Sequence, residues 1–147
     1  MTTLAADVLR DYQLGEQEEY PVVASDIIYQ GAAVGEDASG YSRPLQAGDP
    51  FQGFAQDRAD NSTGSAGAVN VRVKPRGRIV LDISGVAITA NDRPAVYASD
   101  DNTFTLTAGS NSPIGHVSRW ISSGVALVEF DAVIGRVMAA VALKADA

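Results

Sequence analysis

The sequence predicts an all-β fold: a compact β-barrel or β-sandwich of short antiparallel strands, preceded by an extended N-terminal arm and followed by a short C-terminal segment. Three observations predict it. Between Tyr20 and Phe130, apolar residues come in short runs separated by Gly, Pro, Asp and Asn, with turns roughly every 8–12 residues, as sandwiches and barrels show. Those runs are rich in Val, Ile, Phe and Tyr, which fit a pleated, half-buried surface. No strand alternates with a long amphipathic helix, so a parallel βαβ architecture is not expected. The organisation reads as an arm over residues 1–20, a β domain over 21–130 and a tail over 131–147.

The arm carries Asp7, Asp11, Glu16, Glu18 and Glu19 against a single base, Arg10. Leu4, Ala5, Val8, Leu9 and Tyr12 make a weak helical stripe, but Gly15 and the acids after it argue against a long helix. Extended at ~3.3 Å per residue, such an arm reaches roughly 65 Å, well beyond a small domain.

Short strands are expected around Val22-Val23, Ile27–Tyr29, Ala33–Gly35 and Gly53–Gln56. The run Asp57–Gly67 is almost entirely small or polar and reads as a loop. Val69, Val71 and Val73 then alternate with polar residues, and Ile79, Leu81 and Ile83 alternate on the far side of Lys74-Pro75-Arg76-Gly77. Proline second and glycine fourth suit a type I turn, so residues 69–83 are expected to form a hairpin.

Further strands are expected over Ala95–Ala98, Thr103–Thr107, Ile114–Ile121 and Val125–Phe130. After Asp131 the period changes. Val133, Ile134, Val137, Met138 and Val141 recur at helical spacing, although Gly135 weakens a helix there by about 1 kcal/mol relative to alanine. A short helix and a docked tail both fit. There is also an echo: Pro50–Ala55 and Ser112–Val117 each place a glycine-bearing strand after a proline and before a valine-rich strand. Two halves of one β-fold, or chance likeness between strands, would both produce it.

Composition narrows the function classes. With 147 residues and 46% apolar content, the chain can bury one core without staples. It has no cysteine, which removes disulfides, thiolate metal sites and cysteine nucleophiles. Eighteen acids against eleven bases give a net charge of −7, the opposite of a free-standing nucleic-acid binder. No apolar run approaches the ~18 residues of a membrane span. The N-terminus lacks the basic start and apolar block of a signal peptide, so synthesis in a cytoplasm is expected.

Chemistry-bearing motifs are sparse. The single histidine, His116, has no nucleophile-elbow serine to serve, and a packing or surface role is the default for it. Asp100 and Asp101 lack the full ligand spacing of a calcium loop; Ser99–Asn102 reads instead as a turn closed by its own side chains. No phosphate-binding glycine loop is present. No cofactor, metal or catalytic group is therefore expected, and the chain is read as a non-enzyme.

Two features point to binding. Arg72, Lys74, Arg76 and Arg78 are four of the eleven bases within seven residues. They are either a solvated strand face or a basic spot that meets an acidic protein surface. Nucleic acid suits them less, because no aromatic residue is interleaved. Trp120, the lone tryptophan, is either a core residue or an anchor at a subunit interface.

Several phrases resemble one known family: RDYQLGEQEEYPVVASDIIYQGAAVG, GYSRPLQAGDPFQGFA, VYASDDNTFTL and IGHVSRW. Together with the valine-rich region they extend over most of residues 10–130 and are similar to the capsid cement, or head decoration, proteins of tailed phages. The stretch after Asp131 matches less clearly. The resemblance implies a β-barrel or β-sandwich without catalysis, seated as a homotrimer at local three-fold axes on the outside of the virion shell, where it binds the major capsid protein. It places the arm (Arg10, Asp11, Tyr12, Leu14, Glu16 and Tyr20) among the capsid or neighbour contacts, and it implies neither nucleic acid nor membrane as a partner. The competing expectations are another virion module, such as a tail-tube or head–tail connector protein, and a small β-barrel enzyme or carbohydrate-binding domain. The last would have to use His116, Asp100 and Asp101.

Overall fold

The computed structural model describes residues 5–7, 9 and 16–145. Among these the chain forms β1 (Glu18–Pro21), β2 (Asp26–Ile28), β3 (Ala33–Glu36), β4 (Ser42–Pro44), β5 (Phe51–Ala55), β6 (Ala59–Asn61), β7 (Asn70–Lys74) and β8 (Arg76–Asp82). A 3-10 turn follows at Ile88–Asp92, then β9 (Ala95–Ala98), β10 (Phe104–Thr105), β11 (Ser112–Ser122), β12 (Val125–Asp131) and the helix α1 (Ala132–Ala145). The all-β expectation holds, and the tail is a helix.

Two five-stranded sheets carry the architecture, in the orders β1-β7-β5-β3-β4 and β10-β9-β11-β12-β8, and β2 pairs with β6 in a small third sheet. The main core lies between the large sheets. Phe51 and Phe54 from the first meet Phe104 and Phe130 from the second, so all four phenylalanines of the chain share one cluster. Val22, Ile28, Val34, Val71 and Val73 form a second core, shared by the first sheet and the β2–β6 pair. The first sheet is thus buried on both faces at its middle, and every residue of β5 is buried. A bridge between Ile83 and Phe104 draws the two ends of the second sheet together, curling it toward a barrel.

The expected hairpin at residues 69–83 does not form. Its two strands belong to different sheets: β7 pairs with β1 and β5, whereas β8 pairs with β12. The cause lies at Pro75. Its carbonyl accepts a hydrogen bond from Ala132 N–H (2.8 Å), which ties the corner to the start of α1. Gly53, at φ 128°, has no side chain to hold the Lys74 carbonyl away, so β7 settles onto β5. The chain therefore crosses from sheet to sheet at this proline instead of folding back.

The expected loop at Asp57–Gly67 contains β6 and is well anchored. Asn61 is buried, and its side-chain amide donates to the carbonyls of Val23 (3.0 Å) and Ser65 (2.9 Å). A polar-looking run can be structural when one of its amides satisfies buried carbonyls. The strand expected at Thr103–Thr107 shrinks to Phe104-Thr105 for a similar local reason. Thr103 Oγ1 donates to Asp100 (3.1 Å), and Thr105 Oγ1 accepts from Thr107 N–H (3.1 Å), which turns the chain at both ends.

The echo marks the two middle strands. Pro50–Ala55 contains β5, the centre of the first sheet, and Ser112–Val117 lies in β11, the centre of the second. In each, the glycine allows backbone-to-backbone closeness: a Cβ on Gly53 would overlap the Lys74 carbonyl, and one on Gly115 would overlap that of Glu129. Gly135 acts likewise. It packs α1 directly on the Pro113 carbonyl, so the residue that weakens the helix locally is the one that seats it. Asp131 caps α1 by accepting from Val133 N–H at 2.8 Å and Ile134 N–H at 3.3 Å.

Candidate functional site

Binding residues, not catalytic ones, were the sequence candidates, so the question is what the fold brings together. Arg10, Asp11, Tyr12 and Leu14 lie outside the described residues. Glu16 is exposed and, with Gln17, Gln56, Lys74 and Arg76, lines a shallow concavity of about 420 Å³. The acidic arm and the basic run therefore meet at its rim. Tyr20 is half-buried on β1, opposite Val71, against the second core. Burial pushes its phenol above the ordinary tyrosine value, and the Glu18 carboxylate adds to the shift.

The four bases are all exposed, but the sheet crossing splits them into two pairs. Arg72 and Lys74 stand on β7. Arg72 makes an ion pair with Asp57 and sits opposite Glu19 in the β1–β7 register. Arg76 and Arg78 stand on β8, an edge strand of the second sheet. Arg78 approaches Glu129 at 3.5 Å. Among the described residues Lys74 and Arg76 make no ion pair. The basic run is thus partly neutralised at its ends and open in its middle.

His116 belongs to this neighbourhood. Its Nε2 lies 3.0 Å from Glu129 Oε2, and its Nδ1 lies 3.0 Å from the Val117 carbonyl. Both ring nitrogens face acceptors, and Glu129 bridges His116 and Arg78 across three neighbouring strands. This is a surface charge network joining β11, β12 and β8. The other enzyme candidates are also engaged locally. Asp100 accepts from Asn102 N–H (2.8 Å) and Thr103 Oγ1 (3.1 Å), which closes the turn that the sequence suggested. Asp101 has its carboxyl pushed above the ordinary range by burial and then by the neighbouring Asp100 charge.

Trp120 is partly buried against its own main core. Its backbone N–H donates to Asn91 Oδ1 (2.7 Å), while its indole N–H is buried without a partner.

Sequence reasoning gave no binding role to two surfaces. The first is α1. Its helical period was legible, yet only part of the stripe packs inward: Val133 is 65% exposed and Val141 62%, with Ile134 and Val137 beside them. Exposed apolar area gathered on one helix face is a hallmark of interaction surfaces. The helix also walls a groove of about 920 Å³ that includes Tyr97, Pro113, Arg136 and Met138. The second is the ion pair beneath that groove's rim. Asp49 is buried and takes both Arg43 Nε (3.0 Å) and Nη2 (2.8 Å), plus Gln46 N–H (3.0 Å). Gly35 makes room for it, since a Cβ there would stand 2.6 Å from Asp49 Oδ2. Periodicity cannot show this pair, because it depends on which loops meet. Comparison of the chain with protein-family models, with curated proteins and with solved structures found no match.

Proposed function

We propose that this chain is a structural, non-enzymatic module that binds the outer surface of a mature phage capsid and stabilises the shell, acting as a trimer at local three-fold axes. The phrases shared with capsid cement proteins bring the proposal. The observation that carries it is the outward apolar face of α1, where Val133, Ile134, Val137 and Val141 are all exposed on an otherwise well-packed domain. A small rigid β body with an acidic arm, a basic edge and an apolar helix face suits simultaneous contact with several neighbours.

The physics of such a clip is mass action. A protein that binds only the expanded lattice stabilises it in proportion to the occupancy of its sites. A trimer engages several sites together, so modest contacts add up to a long residence time. An extended arm can add backbone hydrogen bonds to a neighbouring strand edge.

The test is to mix the purified protein with undecorated, expanded capsids and image the particles by electron microscopy. Density at the local three-fold axes, with greater resistance of the shells to heat, is the expected result. Rings or tubes formed by the protein alone would favour a tail-tube or connector role, and bare shells at saturating protein would overturn the proposal.

A further inference from the structure

The edges of the two large sheets are not alike. In the first sheet, β1 and β4 are short and each ends in a proline. In the second, β10 has two residues. Brevity and proline are common ways of making an edge unfit for pairing. The fourth edge, β8, has seven residues and no proline, and β12 is the one strand that pairs with it.

The register shows which backbone groups of β8 are open. At its two ends, the Pro75 carbonyl accepts from Ala132 N–H and Ile83 N–H donates to the Gly124 carbonyl, both at 2.8 Å. Between them the β8–β12 register runs without a shift. Antiparallel pairs alternate between bonded and non-bonded, so Gly77, Ile79 and Leu81 face β12. The N–H and C=O groups of Arg76, Arg78, Val80 and Asp82 therefore point away from the sheet, and among the described residues none has a hydrogen-bond partner. All four residues are exposed, and Val80 is 57% exposed.

We infer that β8 pairs with β8 of a second copy of this chain, antiparallel about a two-fold axis at Ile79, joining the two curled sheets edge to edge. In that register Arg76 lies opposite Asp82 of the second copy, and Arg78 lies opposite its Val80, each pair occurring twice by symmetry. These are the residues whose backbone groups are open, so each facing pair exchanges two hydrogen bonds. The side chains agree with the backbone. Arg76 and Asp82 of the two copies are complementary, and the Arg78 stem covers the exposed Val80. The parallel alternative sets Arg76 on Arg76 and Asp82 on Asp82, so charge selects the antiparallel arrangement. A register slipped by one residue would set the open groups against the side of the strand already bonded to β12.

This two-fold contact does not depend on the capsid reading, and it uses a surface other than α1. It is tested on the free protein by sedimentation over a range of concentrations. The full chain should show a monomer–dimer equilibrium, or pairing of whatever larger unit it forms. Arg76→Asp and Asp82→Arg should each weaken that step about tenfold or more, because each sets two pairs of like charges together. The double variant R76D/D82R should restore it. All three substitutions are at exposed positions, and thermal unfolding of each variant checks that the fold is kept. A second readout uses the absence of native cysteine. An equal mixture of R78C and V80C chains should oxidise to a disulfide-linked pair far faster than either variant alone, since these positions face each other across the axis. Self-association unaffected by either charge reversal, failure of the double variant to restore it, or equal cross-linking in the mixed and unmixed samples would overturn the inference. Each result is read without capsids, so its failure is distinguishable from failure of shell decoration.

Discussion

The ring of Phe54 meets the ring of Phe130 edge-on, with centroids 4.8 Å apart and planes at 80°. One residue comes from the middle of the first sheet and the other from β12 of the second, and both are almost fully buried. Edge-to-face pairs add about 0.5–1.5 kcal/mol to the area that each ring removes from water. The two sheets are held face to face largely by this contact and by the Phe51 and Phe104 rings around it.

Replacing Phe130 by alanine should therefore cost about 3–5 kcal/mol of unfolding free energy, measured by urea denaturation. The double variant F54A/F130A should cost less than the sum of the single changes, because the two rings share one contact. Strict additivity would show that they do not act as a pair.

Gly135→Ala gives a test with a counterintuitive sign. In an isolated helix the change stabilises by about 1 kcal/mol. Here the new methyl would overlap the Pro113 carbonyl, so the helix must lift off β11. Net destabilisation of about 1–3 kcal/mol is expected, together with faster proteolysis after Asp131. A rise in thermal midpoint would show that α1 is not seated on Pro113.

Asp131→Ala removes the oxygen that accepts from Val133 and Ile134 N–H, and about 1 kcal/mol should be lost. Asp131→Asn should recover most of it, since asparagine caps nearly as well. Thermal unfolding of the two variants side by side gives the comparison.

Asn61→Ala should be costlier than its place in a polar run suggests. It leaves the Val23 and Ser65 carbonyls without a donor in a buried setting, at about 2 kcal/mol in total. Hydrogen exchange should accelerate at the amides of β2 and β6 before it does at those of β5.

Two aspartates predict opposite pH effects. Burial raises the Asp101 carboxyl above 3.8, so its contribution is fully present below that value and fades as pH rises through the folded value. Asp37 is lowered, chiefly by Tyr41 N–H and also by Ser39 N–H, so its contribution is present above 3.8 and lost as pH falls. Urea midpoints from about pH 2.5 to 6 should show Asp101→Asn gaining on the parent protein as pH rises and Asp37→Asn losing ground. The same sign for both would contradict these environments.

Strand content was legible because alternation is a local signal: Val71 and Val73 point inward and Arg72 and Lys74 outward, as their spacing says. Partnership was not. The Lys74–Gly77 turn looked like a hairpin because proline and glycine satisfy a turn, but the same residues also satisfy a corner between sheets. What decided between them was the distant Ala132 N–H and the bare backbone at Gly53. The same limit applies to the binding surfaces. Four nearby bases were visible in the sequence, but their division between β7 and β8, and the neutralisation of Arg78 by Glu129, depend on tertiary contacts. The helical period after Asp131 was visible too, whereas its outward apolar face depends on which side Gly135 turns to Pro113.

The crossing at Pro75 also bears on how the chain is made. As translation proceeds, β1 must wait for β7, and β8, although next in sequence, must wait for β12 near the end of the chain. Neighbours in sequence give no early pairing there, and long-range pairing is slow to nucleate. The second sheet can close only after almost the whole polypeptide has left the ribosome, so a nascent chain would carry β8 unpaired on both edges until release. Charge at Arg76, Arg78 and Asp82 then keeps that strand in solution while it waits.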